Sequence, residues 1–346
     1  MILYKNLPYL DGWRGLAIIF VLLSHFFPNQ FSQYGELGVL LFFVLSGFFM
    51  SRLLFIKKVS IKLFFARRFS RVIPTFWLFI LTTTFYAAYI QPKSYVVPFD
   101  EIVDTLIFLR TYFPNNISIW KEYWPIGHLW SLNVEEHSYV YLAIGAILFS
   151  KSKNKILPIT FLVTSMILVL CTIVFYSVHN PNGATPWILR SECASFGLIT
   201  SATYNVVTHY YGKSLLPRSS LFPIITFILA CLCFSPLAPL AHGNVYRLVA
   251  APLLAASSIN HADNFPKFIK YFLSLPVLRW FGICSFSIYL WQQPLYQHSG
   301  FSFLRLLIAL ALGALSFYFF ENPLRLFLNK KFTLYKINWK FQMNRS

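Results

Sequence analysis

Two ionisable side chains lie in the first apolar stretch of the chain, where a charge at membrane depth needs a functional or structural reason. Arg14 and His25 are eleven residues apart, which is about 16 Å and close to three turns of an α-helix. In a helix they share one face, and Asp11 could pair with Arg14. His25 can act as a catalytic base, because an imidazole titrates near neutral pH. The structural alternative is a snorkelling arginine and a histidine that hydrogen-bonds at a helix end.

Two adjacent carboxylates, Glu135 and Glu136, lie near the beginning of another apolar stretch, in the segment HLWSLNVEEHSY. Neighbouring residues of a helix point about 100° apart, so one carboxylate can face the interior of a bundle and the other a loop. A carboxylate at membrane depth needs a partner or a raised pKa, which suits a general acid or base or a group that orients a histidine. We therefore expect Glu135 and Glu136 to be catalytic, together with His25 and Arg14.

A pair of arginines, Arg68 and Arg71, lies three residues apart in the segment FFARRFSRVIP and so on one face of a helix. Two guanidinium groups on one face suit a phosphate or a carboxylate. The pair could equally consist of charges that only set the orientation of the chain in a membrane. We expect Arg68, Arg71 and Arg14 to bind an anionic cosubstrate.

Further polar side chains complete the candidate site, and we expect contacts with the substrate from Asp11, Ser46, Tyr289, Gln292 and Arg190. Two of them have a clear structural alternative. Ser46 lies among small residues that let helices pack closely, and Arg190 could form an ion pair with Glu192. The sequence has no Cys and His spacing typical of a metal site, and we expect no metal.

The composition predicts a membrane protein with several spanning helices. Hydrophobic residues make up 57% of the 346 residues and charged residues 12%, against roughly 45–50% and 25% in soluble domains. This excludes a soluble globule and a disordered chain. The net charge of +18 is best explained by basic cytoplasmic loops, with a remainder for an anionic ligand, and not by nucleic acid, because the charges lie between apolar runs. The five cysteines lie in apolar stretches, which argues against disulfides.

The apolar stretches predict an all-α bundle of about ten transmembrane helices. We place them at residues 12–28, 36–55, 73–90, 127–149, 156–177, 188–207, 222–236, 245–260, 281–297 and 303–320. The segments 100–113 and 264–280 are expected to lie on the two membrane surfaces. We interpret residues 1–346 as one domain, with a core at 10–325 and a basic cytoplasmic tail at 326–346.

The charges in the loops predict the orientation of the chain. The connection 51–72 carries seven basic residues and no acid, and should be cytoplasmic. The connection 91–126 then falls outside, with the acidic residues Asp100, Glu101, Asp104 and Glu122. Both termini should be cytoplasmic, and the N-terminus does not have the features of a cleavable signal peptide.

Six segments in order resemble the acyltransferase type 3 family of integral membrane proteins, and the resemblance runs from Leu10 to Arg325. They are LDGWRGLAIIFVLLSH, GVLLFFVLSGFF, RRFSRVIP, HLWSLNVEEHSY, FSIYLWQQP and ENP. The resemblance implies ten core helices in a bacterial inner membrane and transfer of an acyl group, usually acetyl from acetyl-CoA, to a sugar on the far side. Stand-alone members of this length modify lipopolysaccharide O antigen or related surface glycans.

The resemblance also implies roles for individual residues. Arg14 and His25 match the family's Arg-x10-His pair, with His25 as base, and the Arg68 and Arg71 pair matches residues suspected of holding CoA phosphates. Glu135 and Glu136 match the carboxylates of its SLxxEExFY pattern. Two positions differ from the pattern: His137-Ser138 replaces the commoner Gln-Phe, and Gln292 stands where many members have histidine.

Other functions remain compatible with the sequence. A transporter that exports an acyl donor or a lipid-linked sugar would also carry Arg, Glu and His along a substrate pathway, and a receptor-like or assembly protein of the envelope is a third class. For the transferase, direct transfer in one ternary complex and a two-step acyl-enzyme route both fit. The expected partners are acetyl-CoA, a glycan acceptor and membrane lipids, without nucleic acid.

Overall fold

A computed structural model describes residues 7–89, 96–112, 124–152, 154–179, 187–212, 219–235, 246–296 and 302–343, the last eleven of these by their backbone only. Of the acidic residues assigned above to the outer connection, Glu122 lies outside the described residues, while Glu101 and Asp104 belong to a short helix.

The described residues form an all-α fold. Its helices are α1 (Pro8–Phe26), α2 (Tyr34–Ser51), α3 (Ile61–Tyr89), α4 (Phe99–Leu106), α5 (Trp130–Leu148), α6 (Ile156–His179), α7 (Phe196–Tyr211), α8 (Phe222–Leu232), α9 (Ala251–Asn260), α10 (Lys267–Leu273), α11 (Pro276–Tyr296), α12 (Ser302–Leu315) and α13 (Asn322–Met343). Single helical turns at Pro28–Phe31 and Ser191–Ala194 and π-helical turns at Arg52–Ile56, Tyr246–Ala250 and Ser316–Glu321 join or extend them.

Each of the ten predicted spans falls on a helix, but ten membrane crossings are not confirmed. By length and composition, four helical stretches of the described chain can cross a membrane: Tyr34–Ile56, Ile61–Tyr89, Ile156–His179 and Ser302–Phe332. A fifth is reached if α10 and α11, which meet at an angle of 52°, count as one span. Helices α7, α8 and α9 have 16, 11 and 10 residues, which is shorter than the roughly 20 residues that a bilayer requires.

Two predicted segments do not coincide with single helices. The surface segment predicted at 264–280 divides into α10 and the first turn of α11, which begins at Pro276 because a proline fits the first helical position. The tail predicted from residue 326 lies largely within the helix α13, which runs from Asn322 to Met343.

Helix α1 is the centre of the bundle and packs against α2 and α11. Glycines allow the closest approach: a Cβ atom on Gly282 of α11 would lie 1.8 Å from the backbone oxygen of Asp11, and one on Gly15 of α1 would lie 2.0 Å from that of Leu278. Backbones at this separation allow side chains further along the two helices to reach one another. The contact fixes the end of α1 that carries His25 beside the end of α11 that carries Gln292.

Candidate active site

His25, in the last turn of α1, lies against two side chains of α11. Its Nδ1 atom is 3.1 Å from Oε1 of Gln292, and its ring stacks on Tyr296 with centroids 4.2 Å apart. An amide oxygen only accepts hydrogen bonds, so in the neutral ring Nδ1 carries the proton and Nε2 has a lone pair. Gln292, which we expect to contact the substrate, is fully buried, and its contact with Nδ1 leaves Nε2 of the imidazole as the nitrogen that can take a proton.

A second histidine, His128, lies beside the first and was not singled out from the sequence. It is 1% exposed, and both its backbone N–H and its ring Nδ1 donate to Oε1 of Gln293, the backbone nitrogen at 2.6 Å. The two histidines are near enough to interact electrostatically. The signal in the sequence was present: a histidine opens the segment HLWSLNVEEHSY, and two adjacent glutamines lie in FSIYLWQQP.

The predicted carboxylates lie together but are not free. Arg68 of α3 donates from one nitrogen to Glu135 at 2.7 Å and from another to Glu136 at 2.8 Å, and its guanidinium lies 4.2 Å from the centroid of the Tyr139 ring. Ser46 of α2 donates to the other oxygen of Glu135 at 2.7 Å. The three charged side chains are only 13–15% exposed. The structure therefore places Arg68 in an ion-pair network with these glutamates, where the sequence suggested that it holds a phosphate.

Arg14 and Arg71 differ from Arg68, because neither forms an ion pair within 4 Å in the described part of the chain. The expected pairing of Asp11 with Arg14 is thus absent, and the guanidinium of Arg14 lies 4.8 Å from the centroid of the Phe49 ring instead. Arg71 interacts electrostatically with the positive charges of Arg14 and Arg68 and with the negative charge of Glu321. The result is a group of partly buried positive charges beside the Arg68 network, suited to an anion.

Hydroxyl groups occupy the level between the arginines and the histidines. Tyr289 lies one turn before Gln292 on α11. Its hydroxyl donates to the backbone oxygen of His128 at 2.8 Å, and the distance between the hydroxyl oxygens of Tyr289 and Ser131 is 2.7 Å. Ser131 is one turn before Glu135 on α5, which accepts from Ser46. Small polar groups thus lie both beside the backbone of His128 and beside Glu135. Substrate contacts of Tyr289, Ser46 and Asp11 stay predictions; within the described residues Tyr289 and Ser46 hydrogen-bond near His128 and Glu135, and Asp11 forms no ion pair with either arginine.

Arg190 belongs to a different cluster, so the structure does not bring it to the expected site. It lies 4.0 Å from Glu192, and its guanidinium is 5.6 Å from the ring centroid of Tyr112. Within the described residues it has no contact with His25, Arg14 or Arg68. Burial and a 2.5 Å hydrogen bond to Glu192 raise the pKa of Tyr112 to about 12, so this hydroxyl stays protonated at neutral pH. The geometry therefore supports the structural alternative, in which Arg190 forms an ion pair with Glu192.

Among the residues that the structure describes, no group of three or more His, Cys, Asp or Glu side chains is placed to hold an ion. The side chains described above can take a proton at His25, bind an anion at the arginines and form hydrogen bonds at the glutamines.

The chain is similar to a known protein family and to individual proteins over most of its length. A family model described as an acyltransferase domain, Acyl_transf_3, matches residues 7–320. The chain is 25% identical over 93% of its length to the peptidoglycan O-acetyltransferase OatA of Listeria monocytogenes, of which it covers 56%. It is similarly 25% identical to the putative peptidoglycan O-acetyltransferase YrhL of Bacillus subtilis and 24% to the O-acetyltransferase OatA of Staphylococcus aureus, covering 93% of the chain and 55% and 57% of those proteins.

The chain thus spans about half the length of the curated relatives it matches. No solved structure matches it.

Proposed function

Because the chain belongs to the acyltransferase 3 family, we propose that this multi-pass membrane protein transfers an acetyl group from cytoplasmic acetyl-CoA to a hydroxyl group of a bacterial glycan. The observation that carries the proposal is the arrangement on α1. A histidine with a free Nε2 lone pair lies about 16 Å along one helix from Arg14, which has no ion-pair partner among the described residues. These are the base and the anion site that the transfer requires.

The donor site is assigned to Arg14 and Arg71. CoA is a polyanion confined to the cytoplasm, and guanidinium groups that are not already neutralised by carboxylates bind phosphate oxygens strongly. Arg68 contributes less directly, because Glu135 and Glu136 already neutralise it. We assign Arg68, Glu135 and Glu136 to the wall of the donor site. Their ion pairs fix the position of α3 relative to α5.

The transfer step is assigned to His25. The oxygen of the sugar hydroxyl attacks the thioester carbonyl carbon while Nε2 of His25 takes the hydroxyl proton. The C–S bond then breaks, and the proton passes from the imidazolium to the departing thiolate of CoA. Gln292 keeps Nδ1 protonated during the reaction and so keeps Nε2 basic. We assign Tyr289, Ser131 and Ser46 to the path by which the thioester would reach His25, because their hydroxyl groups lie beside the backbone of His128 or beside Glu135.

The acceptor is proposed only as a class. Two of the relatives are named as peptidoglycan O-acetyltransferases. Their names do not support lipopolysaccharide O antigen, which the resemblance to stand-alone family members led us to expect. A cell-wall or surface glycan with a free hydroxyl is the class common to both. We further propose the ten-span arrangement as one domain in the bacterial cytoplasmic membrane, with both termini in the cytoplasm.

The test is acetyl transfer by the purified protein in liposomes. With radiolabelled acetyl-CoA and solubilised glycan fragments, we expect label in the glycan and one free CoA thiol for each acetyl group transferred. The alternative, a transporter of the acyl donor or a lipid-linked sugar, would move its substrate across the membrane without consuming the thioester. Transport with no thiol release would overturn the proposal.

A further inference from the structure

Two adjacent glutamines of α11 carry buried polar atoms that have no partner. Gln292 and Gln293 are both 0% exposed, and the side-chain nitrogen Nε2 of each forms no hydrogen bond with the described residues. Buried polar groups are almost always hydrogen-bonded, because an unpaired donor loses its interaction with water and gains nothing in return. Two such donors on adjacent residues, one on the side chain that contacts the candidate base His25 and one on the side chain that contacts His128, indicate that these amides bind a further group.

The orientation of the Gln293 amide follows from a backbone contact. Its Oε1 atom lies 2.6 Å from the backbone nitrogen of His128. A backbone N–H can only donate, so the amide atom facing it must be the oxygen, and the unpartnered atom is the NH₂ group. Gln292 has the same arrangement, with its oxygen at Nδ1 of His25. Both side chains therefore offer N–H donors.

The second histidine does not supply the same donor. Nδ1 of His128 donates to Gln293, so Nε2 of the neutral ring is an acceptor, and it has no partner in the described residues. Of the side chains that hydrogen-bond to the rings of His25 and His128, the two glutamines thus carry N–H donors that remain available for a negative charge.

We propose that the amide N–H groups of Gln292 and Gln293 stabilise the oxyanion of the tetrahedral intermediate during acyl transfer. This inference rests on the proposed function. As the acceptor oxygen bonds to the thioester carbon, the electron pair of the C=O bond moves onto the carbonyl oxygen, which then accepts hydrogen bonds from the two amides. When the C=O bond re-forms, the C–S bond breaks, and the proton held by His25 goes to the thiolate. Preorganised donors of this kind act where charge develops and need no rearrangement.

The test separates donation to the oxyanion from support of the histidines. A glutamate at position 292 or 293 keeps oxygen atoms that accept from the histidine but loses the N–H donor, whereas methionine of similar length loses both. If the glutamines only position the histidines, Gln292→Glu and Gln293→Glu should retain most of the activity and the methionine variants should lose it. If they donate to the oxyanion, all four variants should lose about 10²–10³ in kcat, with an unchanged Kd for acetyl-CoA.

A matched control lies on the same helix. Ser285 is 3% exposed, and its hydroxyl donates only to the carbonyl of Gly282, so Ser285→Ala removes a buried polar group of α11 without touching the amides and should keep wild-type kcat. Thermal unfolding of each variant reports whether it folds. Glutamate variants that fold and retain activity would overturn the inference while leaving the transferase function intact. A wild-type protein that transfers no acetyl group would overturn both.

Discussion

At the scale of single residues, the chemistry depends on which charges are already paired. Arg68 is bound by two carboxylates, Glu135 and Glu136, so its charge is largely used within the protein. Arg71 and His25 keep a guanidinium and a ring nitrogen available for a ligand. Similar residue types thus have different functions, because buried ion pairs form wherever a partner is near and leave the remaining groups to the substrate.

Replacing His25 should abolish transfer without abolishing donor binding. His25→Ala removes the base, and His25→Gln keeps a hydrogen-bonding shape but cannot take a proton, so both should lose about 10²–10⁴ in rate. The measurement is label transfer together with acetyl-CoA binding. His179→Gln is a suitable control, since this exposed ring bonds only to a carbonyl of its own helix. A His25→Gln protein with nearly wild-type rate would contradict the role of His25 as base.

The two arginines should respond differently to alanine. Arg71→Ala should weaken acetyl-CoA binding roughly 10- to 100-fold through loss of a charge-assisted hydrogen bond, with little effect on thermal unfolding. Arg68→Ala leaves two carboxylates unpaired and should lower the free energy of unfolding by about 3–5 kcal/mol. The salt bridges thus distinguish two arginines that the sequence places on one helix face. Equal effects of the two variants on binding and unfolding would refute the distinction.

At the scale of helices, the site depends on how closely backbones approach. Gly282 of α11 lies against the backbone of α1, whereas Gly145 of α5 lies against the Phe161 ring. A side chain can rotate to make room for a methyl group, but a backbone carbonyl in a packed helix pair cannot. The position of Gln292 beside His25 is therefore set by Gly282, which lies more than two turns away along α11.

Substituting these glycines tests that coupling. Gly282→Ala would place a Cβ atom 1.8 Å from the backbone oxygen of Asp11, so α1 and α11 must separate at a cost of about 1–3 kcal/mol. We expect lower thermal stability and loss of transfer, because the contact of His25 with Gln292 lengthens. Gly145→Ala should reduce stability less and keep activity. A Gly282→Ala protein with wild-type stability and rate would show that the close approach is not required.

At the scale of the whole molecule, the orientation in the membrane decides whether the two sites face the correct compartments. The proposed arrangement puts the basic connection before α3 in the cytoplasm, where CoA is found, and the His25 end of α1 towards the glycan. Several helices of the described fold are too short to span a bilayer alone, and packing against longer neighbours would have to compensate for them.

Reporter insertions test this orientation directly. A reporter after Ser346 or near Lys58 should be cytoplasmic, and one near Asn116, which lies outside the described residues, should be extracytoplasmic. Activity of a phosphatase reporter and fluorescence of a green fluorescent protein reporter give opposite signals on the two sides of the membrane. Lys58 and Asn116 on the same side would exclude the ten-helix arrangement.

The sequence by itself determined the class of the molecule and most of its candidate residues. Long apolar stretches must become helices in a membrane, because lipid leaves backbone groups no other partner, so each predicted span falls on a helix. The spacing of Arg14 and His25 follows from helix periodicity alone. Local patterns of this kind are sufficient wherever the physical cause acts within one helix.

Only the tertiary structure decided how these residues combine. The pairing of Arg68 with Glu135 joins residues 67 positions apart, and that of His25 with Gln292 joins residues 267 positions apart. Nothing in either helix specifies its partner, since the partner depends on which backbones can approach at glycines. For the same reason the segments that contain His128 and Gln293 do not show that the two residues meet, and the charge of Arg190 does not show that it lies away from His25 and Arg14.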